Sequence, residues 1–220
     1  MRHPVRGRSV TPMDATTSFY RVAHSVGFHP WEDLAEHPPF AGKLSELFER
    51  EESGREPPYG RALDLGCGSG IWGVELARRG WQVTGIDLVG KALRRASKRA
   101  LEAGVDLRLV QGDVSNLRAA DVGDRYRLVV DTGTFHGLTE RQRLAMGREV
   151  DAITAADATV LLDVFAPGRR GPLPRGATRR AVEAAFPGWR ITDVEVADTD
   201  PDALMRFLKA DERFYRLRRA

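Results

Sequence analysis

Residues Ala62-Leu63-Asp64-Leu65-Gly66-Cys67-Gly68-Ser69-Gly70 decide the fold, because they join a buried strand to a glycine-rich turn and then to a helix. Arg61 to Leu65 is a short apolar run with an acid near its end. The three alternate glycines leave no Cβ between the backbone and whatever lies above it. Ile71 to Arg79 carries helical spacing in Ile71, Val74, Glu75 and Arg78, so its first N–H groups point back at the turn. Such a turn is a small-ligand site.

Two ligand classes compete for it. A dinucleotide fingerprint is G-x-G-x-x-G, with the third glycine inside the helix and a pyrophosphate on the helix N-terminus. Here the spacing is G-x-G-x-G, Ile71 stands where that third glycine belongs, and Asp64 precedes the first glycine by two. The pattern D-x-G-x-G-x-G resembles motif I of the class I S-adenosylmethionine (SAM)-dependent methyltransferases. SAM has no phosphate but carries an ammonium, and the resemblance implies that Asp64 answers it directly or through water.

The 220 residues suit one α/β domain, and 42% hydrophobic with 30% charged residues is ordinary globular composition. No apolar run reaches membrane-spanning length, and the basic N-terminus (Arg2, Arg6, Arg8) leads into no apolar segment of a secretory signal. One cysteine, Cys67, forms no internal disulfide; a cytoplasmic setting is expected. With 34 basic against 31 acidic residues, a net charge of +3 gives no whole-protein field calling for nucleic acid.

Along the chain, 1–17 reads as a flexible tail and 18–58 as an N-terminal helical lid or substrate segment. This segment has aromatics including Tyr20 and Trp31 and a helix over Phe40 to Glu49. Those aromatics either border a cleft or pack on the core. Residues 59–220 form the main domain. Gly80 caps the helix after the glycine turn; Trp81 to Asp87 is a second strand ending in an acid. Lys91 to Ala103 is a helix with Leu93, Ala96, Ala100 and Leu101 facing inward. Its outer basic face (Lys91, Arg94, Arg95, Lys98, Arg99) reads as solvated or, alternatively, as a phosphate-backbone surface.

Asp106 to Gln111 is the third strand, followed by Asp113 and Val114; Tyr126 to Asp131 is the fourth. Asp113 reads as an adenine-side acid or as a plain turn or cap residue. Thr139 and Gln142 make a capping box for a helix to about Ala155, and Thr159 to Phe165 is the fifth strand. A Gly-, Pro- and Arg-rich loop, Pro167 to Gly176, borders the same sheet edge. After a helix over Ala177 to Phe186, Trp189 to Val196 and Arg213 to Arg218 alternate as a terminal strand pair, with a short helix or arm at Pro201 to Ala210. Strands ending in acids, each followed by a helix or turn, place those acids at one carboxyl edge. The expected architecture is a Rossmann-like, doubly wound, mostly parallel seven-stranded sheet with an antiparallel C-terminal strand and helices on both faces.

From Gly60 to Arg219 this order is similar to that of class I methyltransferases. The segment Asp131-Thr132-Gly133-Thr134-Phe135-His136-Gly137-Leu138 resembles the D-x-G-x-F-H-x-L variant of small-molecule enzymes of the tellurite-resistance and thiopurine type. The resemblance implies SAM as cofactor and S-adenosylhomocysteine as product. It implies contacts from Asp64, Gly66, Cys67, Gly68, Gly70 and Asp131 at the turn and methionyl end. Asp87 would lie at the ribose, and Leu88, Asp113 and Val114 around the adenine. Tyr20, Trp31, Phe135 and His136 would face the acceptor. His136 is either a general base or a residue that only bonds the backbone; Cys67 reads as a packing residue without a base beside it.

No metal is implied. The chain lacks the N/D-P-P-Y/F signature of base-methylating members, and Thr134 stands where the Phe-His subgroup often has cysteine. The expectation is an enzyme that methylates an O, N or S atom of a small aromatic or heterocyclic molecule, with no nucleic-acid partner. A catalytically silent SAM-binding module and an RNA methyltransferase are the alternatives, and a nicotinamide oxidoreductase is disfavoured by the Gly70-Ile71 spacing.

Overall fold

The computed structural model describes residues 38–168, 176–196 and 212–220. Tyr20, Trp31, the expected tail, most of the N-terminal segment and the arm at 201–210 lie outside the described residues. So does most of the Arg-rich loop.

The elements run α1 (Pro38–Glu52), β1 (Arg61–Leu65), α2 (Ile71–Arg79), β2 (Gln82–Asp87), α3 (Gly90–Ala103), β3 (Leu107–Gln111), β4 (Tyr126–Thr132), α4 (Glu140–Ile153), β5 (Thr154–Phe165), α5 (Arg179–Ala185), β6 (Trp189–Val196) and β7 (Glu212–Arg219). One sheet of seven strands has the order β3-β2-β1-β4-β5-β7-β6. β1 to β5 pair in parallel, whereas β7 runs antiparallel to both β5 and β6. The order reverses between β1 and β4, and a crevice for ligands opens at the strand C-termini beside such a reversal.

Period-two alternation sorts the strand residues onto two faces. Ala62, Val83, Leu128, Val130, Leu161 and Phe214 meet α1 and α2, where Phe40, Leu44, Phe48, Trp72 and Leu76 bury their side chains. Leu63, Leu65, Val129, Val160, Leu162 and Tyr215 meet the opposite helices through Met146, Val150, Val182 and Phe186. The described part of the 18–58 segment is thus a core helix: Phe40 lies 5.9 Å from the Trp72 ring and 5.5 Å from that of Phe214.

Helix α1 is also fixed by charge. Buried Glu51 accepts a hydrogen bond from Thr159 on β5 (2.7 Å) and pairs with Arg216 on β7 (2.5 Å). In α3 the buried stripe is Ala92, Leu93, Ala96 and Ala100, whereas Leu101 is exposed, contrary to its expected inward position. The stripe is built of small residues because α3 comes close to the glycine turn: a Cβ on Gly70 would lie 2.8 Å from that of Ala96. The capping box holds, but α4 passes into β5 at Thr154 with no intervening loop, so β5 starts five residues before the apolar run.

Candidate active site

The glycine turn is held open from below. Ile86 carbonyl accepts from the amides of Gly66 and Cys67 (2.8 and 3.0 Å), and Asp87 Oδ2 accepts from the Gly68 amide (2.9 Å). Asp87 Oδ1 accepts from the Val89 amide at 2.7 Å. The basic face of α3 is not wholly solvated, since Arg99 Nε donates to the Ser69 carbonyl (3.2 Å). Cys67 is a packing residue: its Sγ occupies the space a Cβ on Gly85 would need. Gly68, at φ +53°, faces open space, so bare backbone is presented to the crevice.

Asp64 lies beneath this turn. Its side chain is 1% exposed, and neither carboxylate oxygen has a hydrogen-bond partner. Burial, reinforced by the charges of Asp131 and Asp87, pushes its carboxyl up to about 7, while the Gly73 amide in the first turn of α2 opposes the shift. An unsatisfied buried carboxylate is costly unless a cation answers it. Asp64 and the open Gly68 therefore fit a small cationic ligand. Leu88, 36% exposed at the tip of β2, offers an apolar surface beside it.

Asp113 accepts at Oδ1 from both the amide and the hydroxyl of Ser115 (2.8 and 2.7 Å). That is the cap reading; Oδ2 takes no part in it. The Val114 side chain, by contrast, belongs to the core, so it does not cover a ring face as expected.

Two further expectations are corrected after β4. The fully buried Asp131 carboxylate accepts from the amides of Gly133, Thr134 and Phe135 at 2.7 to 3.2 Å. It shapes the loop instead of reaching a ligand's methionyl end; burial still pushes its carboxyl up to about 7. The same turn drives Phe135 inward, where it is fully buried against Phe186 and under the Arg143 guanidinium, away from any acceptor. His136 turns the other way. Its Nδ1 accepts from the Phe165 amide (3.1 Å), and its ring stacks on that of Phe165 at 4.3 Å. The neutral ring then carries its proton on Nε2, which makes it a donor at that nitrogen.

Thr134 closes the join between the two loops. Its hydroxyl donates to the Leu65 carbonyl (3.2 Å) and sits where a Cβ on Gly66 would fall.

Sequence reasoning missed three residues. Arg143 donates to the carbonyls of Phe135, His136 and Gly176, at 2.9 to 3.0 Å, tying the Phe-His turn to the end of the loop after β5. Nothing in its local sequence marks it. Asp163 and Glu212 are buried at the ends of β5 and β7. Asp163 did carry a signal, as an acid interrupting the apolar run Thr159 to Phe165.

Residues 62–157 match the model of a methyltransferase domain. The stretch is similar in sequence to methyltransferase domains, and the sheet around it has the fold of solved methyltransferases. The chain is 33% identical over 82 residues to a ribosomal RNA small subunit methyltransferase C of Alcanivorax borkumensis, spanning 37% of this chain and 24% of that protein. It is 48% identical over 56 residues to a ubiquinone biosynthesis O-methyltransferase of Yersinia pestis, spanning 26% and 23%. The chain thus matches about a quarter of the length of these curated relatives. The fold is similar to that of the Burkholderia thailandensis 1,6-didemethyltoxoflavin-N1-methyltransferase solved with 1,6-didemethyltoxoflavin and S-adenosylhomocysteine. That match has a TM-score of 0.71 and 21% identity, over 99% of this chain and 94% of the other. Among the described residues, no helix is long and apolar enough to cross a membrane.

Proposed function

We propose that this chain transfers a methyl group from SAM to a small molecule. The observation that carries this reading is Asp64, a buried carboxylate with both oxygens unpartnered, beneath a glycine turn that presents bare backbone at the sheet reversal. When bound, SAM supplies an electrophilic methyl group on a sulfonium.

The chain's own residues bind, orient and exclude water. Asp64 takes the ammonium, and that charge returns its carboxyl to the ionised form. Gly66, Gly68 and Gly70 give close backbone approach. Asp87 keeps lone pairs for the ribose hydroxyls because each of its oxygens receives only one amide. Asp113 Oδ2 serves the exocyclic amine of adenine, with Leu88 against the ring. His136 borders the acceptor side and holds the end of β5 through Nδ1.

The small-molecule acceptor is supported by the Phe-His loop motif and by the likeness in fold to the 1,6-didemethyltoxoflavin-N1-methyltransferase over 99% of this chain. The ribosomal RNA relative is matched over too little of its length to favour a nucleic acid. Tyr20 and Trp31, as residues facing the acceptor, remain part of the proposal. The test is release of S-adenosylhomocysteine from SAM with a panel of phenols, thiols and nitrogen heterocycles. Turnover with at least one supports the reading; stoichiometric SAM binding without turnover on any of them leaves a silent SAM-binding module instead.

A further inference from the structure

Resting on that reading, we infer that Asp163 and Glu212 form the acceptor's binding pair and that the acceptor is a nitrogen base. In the antiparallel β5–β7 ladder Asp163 faces Phe214 and Glu212 faces Phe165, so the two acids are diagonal neighbours on one face of the sheet. Diagonal cross-strand positions lie roughly 7–8 Å apart, within reach of two carboxyl side chains. Both sit at the carboxyl edge of β5, on the face that packs against α1.

They are 5% and 3% exposed, and Asp163 Oδ1 and Glu212 Oε1 have no hydrogen-bond partner. Among the described residues neither makes an ion pair and no cation offsets the burial that pushes Asp163 well above the usual carboxylate range and Glu212 up to about 7. Two like charges buried together without a counterion are a standing cost, and they give the fold nothing that a leucine pair would not. Other buried acids, apart from Asp64 beneath the glycine turn, are answered: Glu51 by Arg216, and Asp131 by three amides. The unanswered pair lies beside the stacked rings of His136 and Phe165, and Phe165 is the direct strand partner of Glu212. An ionised or purely accepting oxygen at this spot would face repulsion, whereas an ammonium brings both a charge and enough N–H donors for the two orphan oxygens.

The chemistry balances without another reactant. A protonated amine docked on the pair gives one proton to a carboxylate, forming a carboxylic acid and a neutral amine. The nitrogen lone pair then forms the N–C bond as the C–S bond breaks and its electron pair stays on sulfur. The carboxylic acid returns its proton to solvent when the methylammonium product leaves.

The test uses the intact protein, with and without saturating S-adenosylhomocysteine, titrated calorimetrically with benzylamine, benzimidazole, benzyl alcohol, phenol and benzoate. The expected result is binding of at least one nitrogen probe in preference to the oxygen probes. Asp163→Asn with Glu212→Gln should weaken it by about tenfold or more, the scale of a lost charge-assisted hydrogen bond, with S-adenosylhomocysteine affinity retained. Absence of nitrogen-probe binding, preference for an oxygen probe, or equal binding by the variant overturns the inference. Failure of S-adenosylhomocysteine itself to bind overturns the methyltransferase reading instead, and the ligand-free titration still decides the amine pair.

Discussion

The Phe165 amide donates to His136 Nδ1 at 3.1 Å while the two rings stack 4.3 Å apart. One histidine therefore joins the loop after β4 to the end of β5 by both a hydrogen bond and a ring face. The bond also fixes the tautomer, leaving Nε2 protonated in the neutral ring.

His136→Ala should cost stability before it changes the chemistry. It leaves a largely buried amide without its acceptor, a loss of about 1–3 kcal/mol by chemical denaturation, plus the lost ring contact. The pH–rate profile should keep its shape, because Nδ1 is engaged and Nε2 carries a proton. Loss of an ionisation near neutrality from that profile would restore His136 as a general base.

Gly66→Ala should disrupt the turn from two directions. The residue sits at φ +68°, and an added Cβ would collide with the Thr134 side chain. The left-handed conformation alone costs roughly 1–2 kcal/mol for an L residue. Thr134→Ala should recover part of the loss, and a double-mutant cycle on unfolding free energy should show coupling; strict additivity would mean the two loops do not touch.

Stability of the ligand-free protein should fall as pH rises through neutrality. Asp64 and Asp131 are raised from 3.8, and Glu212 from 4.5, to about 7, so the folded state binds these protons more tightly than the unfolded chain. Their stabilising contribution is complete below the unfolded values and is lost as pH climbs through about 7. Glu149, Asp157 and Glu195, whose carboxyls are lowered by arginine or lysine partners, act in the opposite sense at acid pH. Melting temperature should therefore decline from about pH 5 to 8, and Asp64→Asn should flatten that decline. A flat wild-type profile would count against the buried carboxylates.

Glu51→Ala should destabilise the fold without touching the ligand. It strands the Arg216 guanidinium and the Thr159 hydroxyl, both ordered by Glu51 between α1, β5 and β7. Breaking a buried pair from one side costs about 3–5 kcal/mol, and the Arg216 bond to Thr192 places this case toward the lower end. SAM affinity measured on the folded fraction should be unchanged.

The sheet order was legible because strand ends, glycine turns and helix caps are local signals: Asp64, Gly80, Gly104 and the Thr139–Gln142 box all stand where their neighbours predict. What was illegible depends on contacts across the sheet. The sequence Phe135-His136 cannot say which ring turns inward. The Asp131 carboxylate decides it by gathering three amides. Leu101 fits a helical stripe on paper, yet the close approach of α3 to Gly70 selects the alanine face. Glu212 becomes meaningful only once β7 inserts beside β5 and brings it to Asp163.

The most direct test of the central claim is calorimetric titration of SAM, S-adenosylhomocysteine and NAD into the wild-type protein and Asp64→Asn. This account predicts one site for SAM and for S-adenosylhomocysteine, no heat from NAD, and an affinity for both nucleosides about tenfold or more weaker in a variant that is itself more stable at neutral pH. Undiminished SAM binding by Asp64→Asn, or binding of NAD in place of SAM, would contradict it.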